Sequence, residues 1–587
     1  MNSYMYARLQ QPNEIRLLDL NPGTSNQPLY GTLRPMSLDR NEQFEAISYV
    51  WGSDTKGCVL RTPCGRINIT SSLHSALRRL RLERKSRTLW ADALCINQED
   101  NEEKSLQVRL MGQVYGKATR VLAYLGEDAD DSELAQQLME RMASRILFDK
   151  GSEGLSARQA LKAENLNPVA ALMRRPWFQR AWIIQEFVNA KDVQMYFGSS
   201  EIHWKTFSQA IDNTFSFNEL SMIKNENDLS KRALSHSGAI AFATLDMGRD
   251  KSSTSLLELF DLFQDKDATR SRDHLFALLS LAHDADDSGF DPDYLEPLES
   301  IVRRYAAVFV HREETFHLLA TAGLSPFGAQ SSRFPSWIPN WTKKRSRRFS
   351  PGVDGSMATY STAGMTKLCA QYDRDSDELI IRGILFDQVD EIVYFWDGPL
   401  GDDLHLTSGH KQASYLKMCD SIVQSVPSYP TGESLFDVQW RTLIADRAED
   451  GSELTKEDQD RMKQSYLSVR ENLKIPFPDT VAGDSKVPDF PTEADPYEFE
   501  SAGLWALTSH VTMCRTARGY VGLVPKNTVK GDWICVLYGC PVPFVLRKST
   551  LRDGDIFQLV QKAYVHGIMT GEALRDEIFN EQDIRLH

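Results

Sequence analysis

A chain of 587 residues is too long for one hydrophobic core and predicts about three domains. Hydrophobic residues make up 41% and charged residues 25%, the balance of a soluble globular protein. The net charge of -14 excludes a general nucleic-acid binder, which needs a basic face to displace counterions, and no apolar run approaches the roughly 18 residues that span a bilayer.

The opening MNSYMYARLQQPNEIRLLDL lacks the continuous apolar core of a signal peptide. The 8 cysteines are scattered, without CxxC pairs or histidines at zinc spacing, so reduced thiols in a cytoplasmic protein and no metal site are expected. Residues 1–40 read as an extended lead-in, with IRLLDL as a strand and NPGTSNQP as a turn-rich loop. FEAISYVW, Phe44 to Trp51, alternates and then becomes continuously apolar, as a buried strand does, and ends at Gly52. Cys58 to Ile69 reads as a hairpin turning at Pro63 and Gly65. Thr70 or Ser71 caps a helix with Leu73, Leu77 and Leu80 on one face. TLWADALCI, Thr88 to Ile96, starts as a second strand and runs into the polar loop NQEDNEEK. A helix with Leu106, Leu110 and Val114 on one face follows, then Gly116 and the strand RVLAYLG.

Helical stretches over about 132–147 and 155–173 lead to RRPWFQRAWIIQEFVNAKDVQMYF, Arg174 to Phe197, which reads as one helix opening at Pro176 and a fourth strand. Strands alternating with amphipathic helices predict an α/β unit over 41–205, a parallel sheet flanked by helices on both faces. Ligands of such sheets sit at the carboxyl ends of the strands. Trp51, Gly52, Asp92, Cys95 and Asn97 all fall at or just beyond those ends.

Residues 206–350 form a mainly helical region, in which LLELFDLFQ, HLFALLSLA and IVRRYAAVFVHREETFHLLATAGL carry apolar stripes. FPSWIPNW is expected to pack against the last domain, and KKRSRR (343–348) is a solvated loop or a nuclear-localisation signal. Residues 351–587 are mixed and β-rich. ELIIRGILFDQVDEIVYF returns to strand periodicity, and Cys514 to Tyr564 has the short strands and GY, PKN, GD, GCP and DGD turns of a small antiparallel barrel or sheet. Between them an acidic segment near 425–500 is expected to be mobile around an exposed helix, DQDRMKQSYLSVRENL.

The stretch from Arg174 to Phe197 is the leading candidate for chemistry. Trp177, Ala181, Ile184 and Val188, three or four apart, line one apolar helical face, and Trp182 and Glu186 share another. A carboxylate beside an indole on an apolar helix has a raised pKa or holds a charged ligand; the plain alternative sets Glu186 at the solvent edge. No GxSxG, HExxH, GxGxxG or Walker A pattern is present.

FEAISYVWG, LWADALCINQEDNEEKSLQVRLMGQVYGKATRVLAYLG and RPWFQRAWIIQEF closely resemble the three blocks of the fungal heterokaryon-incompatibility (HET) domain, over about Phe44 to Trp204. SRDHLFALLSLAHD, FPSWIPNW, GYVGLVPKNTVKGDWICVLYGCPVPFVLR and YVHGIMTGEAL resemble later parts of full-length fungal HET proteins. The resemblance implies a role in fungal non-self recognition, in which fusion of unlike cells triggers growth arrest or death. It also implies a partner, such as the product of an incompatible allele, and self-association on activation.

The order of elements is more distantly similar to a TIR domain. FEAISYVWG stands for the first TIR strand, and Trp90-Ala91-Asp92 ends the second with its closing aspartate. Trp182-Ile183-Ile184-Gln185-Glu186 has the tryptophan-to-glutamate spacing of the TIR helix that carries the NAD-cleaving glutamate. Two features depart: Ile183 stands where a cysteine often follows the tryptophan, and a long helical insertion precedes this helix. The TIR-like reading makes NAD a substrate, with no bound cofactor, and Glu186 the group that stabilises an oxocarbenium-like ribose. Trp182 or Trp51 then stacks on a ring of the substrate, Arg180 binds phosphate, and Ser48 and Gly52 bring backbone amides to the pyrophosphate. In plainer terms the two tryptophans fill space, Arg180 pairs with Glu186, Asp92 caps its loop and Cys95 is an inert buried thiol. Asn97, Gln98 and Asp100 occupy the loop that engages a neighbouring subunit in TIR assemblies.

Overall fold

The computed structural model describes residues 3–24, 26–52, 55–144, 166–215, 254–324, 333–342, 360–394, 409–448, 451–476, 499, 511–550, 554–575 and 580–587. These form two compact units, residues 1–301 with 341–346, and residues 302–340 with 347–587. The KKRSRR run and residues 477–498 of the expected acidic segment lie outside the described residues, as does most of the expected helix over 155–173.

The first unit is built on a nine-stranded mixed sheet. Its centre is four parallel strands: β3 (Glu45–Tyr49), β6 (Arg87–Trp90), β7 (Val121–Tyr124) and β8 (Val193–Phe197). They lie in the order β6-β3-β7-β8, so the chain starts in the middle and reverses direction between β3 and β7. In open α/β sheets such a reversal, at the carboxyl ends of the strands, is the position where ligands bind. Further strands extend both edges. On one side are β1 (Glu14–Leu20), β2 (Leu29–Ser37) and the hairpin β4 (Cys58–Thr62) and β5 (Gly65–Ile69); on the other is β9 (Ser200–His203). They run antiparallel to their neighbours except where β4 runs parallel to β2. The lead-in is therefore part of the sheet, with β1 hydrogen-bonded directly to β6.

Thr70 caps α1 (Ser71–Leu80) by accepting from the Leu73 N–H, and the stripe Leu73, Leu77, Leu80 is buried as its spacing requires. The next long helix is phased differently from the expectation. After the single turn α2 (Asp92–Cys95), Asp100 caps α3 (Asn101–Lys117), which buries Gln107, Leu110, Met111 and Val114 and leaves Leu106 57% exposed. Glu103 and Lys104, at the end of the polar NQEDNEEK run, are buried inside α3. After α4 (Ser132–Ala143) and α5 (Asn167–Met173), the expected single helix from Pro176 is broken in two. A 3₁₀ turn, Pro176–Gln179, stops at an extended Arg180, and α6 (Ile183–Val188) begins afresh. The break is held by backbone bonds to Asp267, whose N–H reaches Gln179 O at 2.6 Å and whose carbonyl accepts from Ala181 at 2.9 Å.

The second unit contains strands β10 (Ala370–Asp373), β11 (Glu378–Ile392), β12 (Val511–Thr516), β13 (Val521–Pro525), β14 (Trp533–Leu537), β15 (Phe544–Lys548), β16 (Ile556–Lys562), β17 (Tyr564–Val565) and β18 (Gln582–Leu586). β11 pairs with both β14 and β18, so β11-β14-β15-β16-β18 closes into a ring. Phe386, Val389, Ile534, Val536, Val545 and Val560 fill its core. Helices Leu435–Leu443 and Lys456–Asn472 occupy the described part of the acidic segment, and the second is the helix read from DQDRMKQSYLSVRENL. FPSWIPNW divides, with Trp337 against Tyr372 in the second unit and Trp341 against Phe260 in the first. No described helix is long and apolar enough to cross a membrane.

Burial separates two leucines that sequence spacing treats alike. Leu77→Ala should lower the stability of the first unit by about 2–5 kcal/mol, because it leaves a cavity under α1. Leu106→Ala should stay within about 0.5 kcal/mol. Urea unfolding of the two variants checks both values.

Candidate functional site

Three elements converge at the carboxyl end of the parallel strands. β3 delivers Tyr49, the turn after β6 delivers Asp92, and α6 delivers Glu186. Asp92 is 8% exposed and fixed on both oxygens. Oδ2 accepts the Trp51 indole N–H at 2.7 Å, and Oδ1 accepts the Ala93 N–H at 2.7 Å. Burial raises its pKa, with Arg180 and the Trp51 hydrogen bond opposing.

Glu186 is held far less firmly. It is 1% exposed, yet Oε2 has no hydrogen-bond partner and Oε1 stands 3.8 Å from an Arg180 guanidinium nitrogen. Burial pushes its carboxyl up to about 7, while Arg180 and the Ser48 hydroxyl pull down and the Asp92 charge pushes up. Tyr49 adds a second orphan: its phenol is buried without a hydrogen-bond partner, and burial followed by the Asp92 charge holds its pKa well above the usual phenol range. Gln98 adds a third, because its Nε2 donates to Asp92 O at 3.0 Å while its side-chain oxygen is buried and unpaired. Buried polar atoms normally find partners, so three unpaired ones around two acids mark a place built for something other than packing.

The remaining candidates separate cleanly. Arg180 is gathered into the site, 16% exposed, and donates to the Tyr49 carbonyl at the end of β3. Trp182 is half-buried, and its indole donates to Asp273 Oδ2 at 3.2 Å. Ser48 is placed as a support instead of an anion cradle: it lies within β3 opposite Ala123, and its hydroxyl accepts the Trp177 indole N–H at 2.9 Å. Gly52 is exposed at φ +69, a turn conformation, and leads into residues outside the description. Cys95 faces the interior, where its sulfur accepts the Ala91 N–H and burial raises the thiol to about 12, so it is no nucleophile. Asn97, Gln98 and Asp100 are half-buried and committed to their own loop: Asn97 accepts from Glu99 N, Gln98 holds Asp92 O, and Asp100 caps α3. Among the described residues no three His, Cys, Asp or Glu side chains form a metal site.

Residues that the sequence reading gave no part in the site complete the surroundings. Trp177 anchors Ser48, and the Tyr115 hydroxyl, which donates to Ile47 O at 3.4 Å, also pulls the Glu186 carboxyl down. The SRDH segment supplies Asp273, which takes the Trp182 indole on one oxygen and the Tyr294 hydroxyl on the other, at 2.8 Å. The motif SRDHLFALLSLAHD was visible as a block, but nothing local linked it to a tryptophan about ninety positions earlier. The site thus needs the chain beyond 205.

Glu186 makes stability depend on pH. Its folded pKa of about 7 lies above its ordinary 4.5. The folded state therefore binds the extra proton between those values, and stability present below 4.5 is lost as pH rises through 7. Glu186→Gln should remove that loss, at most about 3 kcal/mol. The variant should gain on the native protein in melting temperature between pH 5 and pH 8; parallel melting profiles would show an unperturbed carboxyl.

The sequence model of the heterokaryon incompatibility protein (HET) family matches residues 44–186, ending on the buried glutamate. That of the Het-6 β-barrel domain matches residues 436–581. A curated relative, heterokaryon incompatibility protein 6, OR allele, of Neurospora crassa, is 25% identical over 97% of this chain and 96% of its own length. No solved structure matches.

Proposed function

We propose, from the premise that this chain is a HET-domain protein with a Het-6 barrel, that it acts in heterokaryon incompatibility by cleaving NAD at the nicotinamide–ribose bond, and so triggers growth arrest or death. The observation that supports the reading is the Glu186 carboxyl: buried at the strand ends, one oxygen unpaired, titrating near neutrality. The C1′–N bond breaks with its electron pair going to nicotinamide, which leaves neutral and needs no acid. The positive charge that develops on the ribose is stabilised by the Glu186 carboxylate, worth most in a dry site. Water then bonds to C1′ and loses its proton, giving ADP-ribose. Arg180 keeps the carboxylate from being fully neutralised, and Trp182 offers a half-buried indole face. The parallel strand order, Asp92 after β6 and the Trp182-to-Glu186 spacing are points of likeness to TIR domains. Self-association on activation remains part of this reading.

One observation favours a different reading. Glu186 is only 1% exposed and faces a guanidinium, as in a structural ion pair of a non-enzymatic death-signalling module that works by self-association. The two readings part on one assay with the full chain, since residues 1–205 lack Asp267, Asp273 and Tyr294. Nicotinamide release from NAD, rising steeply with protein concentration and lost at least a hundredfold in Glu186→Gln, supports cleavage. The rate should rise with pH through about 7 as the carboxyl ionises. Incompatibility that persists in cells carrying Glu186→Gln supports the scaffold.

A further inference from the structure

The first unit holds a second cluster of charge, reached from Glu186 through Trp182 and Asp273. Lys104, in the first turns of α3, is 6% exposed and has neither a hydrogen-bond nor an ion-pair partner among the described residues. Its ammonium lies 4.2 Å from the centre of the Tyr294 ring. Arg272 flanks the same ring at 5.6 Å and donates to the Asp293 carbonyl at 3.2 Å. Arg270 is exposed and unpaired among the described residues. Asp273 and Asp92 are the nearby carboxylates, and both oxygens of each already accept from neutral donors, Trp182 and Tyr294 for Asp273, Trp51 and the Ala93 N–H for Asp92.

This is an unusual place for a buried lysine. Elsewhere in the unit a buried cation is fully met: Arg16 makes two hydrogen bonds to Glu103, the longer 2.9 Å, and a third to the Cys95 carbonyl at 3.1 Å. Lys104 has only a ring face, and its pKa falls to about 8 through burial and then the Arg270 charge. Burying an ammonium without an anion is costly. Three cations from two separate parts of the chain, with two carboxylates whose oxygens are already engaged, are suited to an anion supplied from outside. Arg favours bidentate contact with phosphate oxygens, and Lys acts as a point charge.

We infer that Lys104, Arg270 and Arg272 form the diphosphate-binding wall of the Glu186 site, replacing the Ser48 and Gly52 amides in that role. The inference rests on the NAD reading for the identity of the ligand, and on the cluster alone for its being a phosphate anion. Trp182, bonded to Asp273, stands between the wall and Glu186 in the chain of contacts, where the nicotinamide ribose would lie.

Calorimetric titration of the full-length protein tests this with four ligands: NAD, ADP-ribose, inorganic pyrophosphate and nicotinamide riboside. Arg270→Ala and Lys104→Met should each weaken the three phosphate-bearing ligands by about tenfold or more, and leave the phosphate-free riboside unchanged. Arg270 is exposed, so its variant keeps the fold even if Lys104→Met does not. Unchanged affinity for ADP-ribose and pyrophosphate in Arg270→Ala overturns the wall, as does no binding of either by the native protein. Pyrophosphate binding that depends on Arg270, without riboside binding or nicotinamide release, upholds the wall and removes NAD as its ligand.

Discussion

The backbone bridge from Asp267 to Gln179 and Ala181 is the constraint on which the site depends. It stops the 3₁₀ turn at Pro176–Gln179, forces Arg180 extended, and restarts the helix three residues later. A continuous helix would carry Arg180 and Glu186 at a fixed angular offset set by 3.6 residues per turn. The break frees Arg180 to reach the end of β3 while Glu186 points inward from the new helix. Residues distant in sequence thus decide which side chains meet at the strand ends.

Two buried acids in the same unit show what the interior does with charge. Glu103 is answered in full, by both guanidinium nitrogens of Arg16 and by the Asn97 N–H at 2.7 Å. Glu186 has an arginine at 3.8 Å and an oxygen with no partner. A buried ion pair is maintained for stability only when its geometry and remaining hydrogen bonds repay desolvation. Glu103 meets that condition and Glu186 does not. Asp92 falls between them: its oxygens are satisfied, yet its charge adds to the pressure on Glu186.

The second unit solves a different problem. Its ring closes because β11, fifteen residues long, pairs along one stretch with β14 and β18 and along another with β12. Register shifts within β11, between Leu385 and Asp387 and again between Val389 and Glu391, let one strand serve successive partners. β11 and β18 both lie outside residues 436–581, so the matched domain is completed by strands on either side of it. A closed ring removes the exposed edges that an open antiparallel sheet would present.

What the sequence determined by itself is local and periodic: the β4–β5 hairpin, the Thr70 cap with its leucine stripe, the strands that became β3, β6, β7 and β8, and the Trp182–Glu186 spacing. Each of these is settled by residues within a few positions of one another, where side-chain alternation, helical pitch and capping act. The motif blocks carried the resemblance to the HET family for the same reason. Tertiary structure alone decided the rest. It moved the buried face of α3 off Leu106 and put Glu103 and Lys104 inside, because the ion pair with Arg16 and the ring of Tyr294 come from distant segments. It broke the helix at Arg180 through Asp267, and it committed the Ser48 hydroxyl to the Trp177 indole. Periodicity reports which residues want to be buried; which charges are buried with them depends on what the chain brings from afar, and no window of sequence contains that.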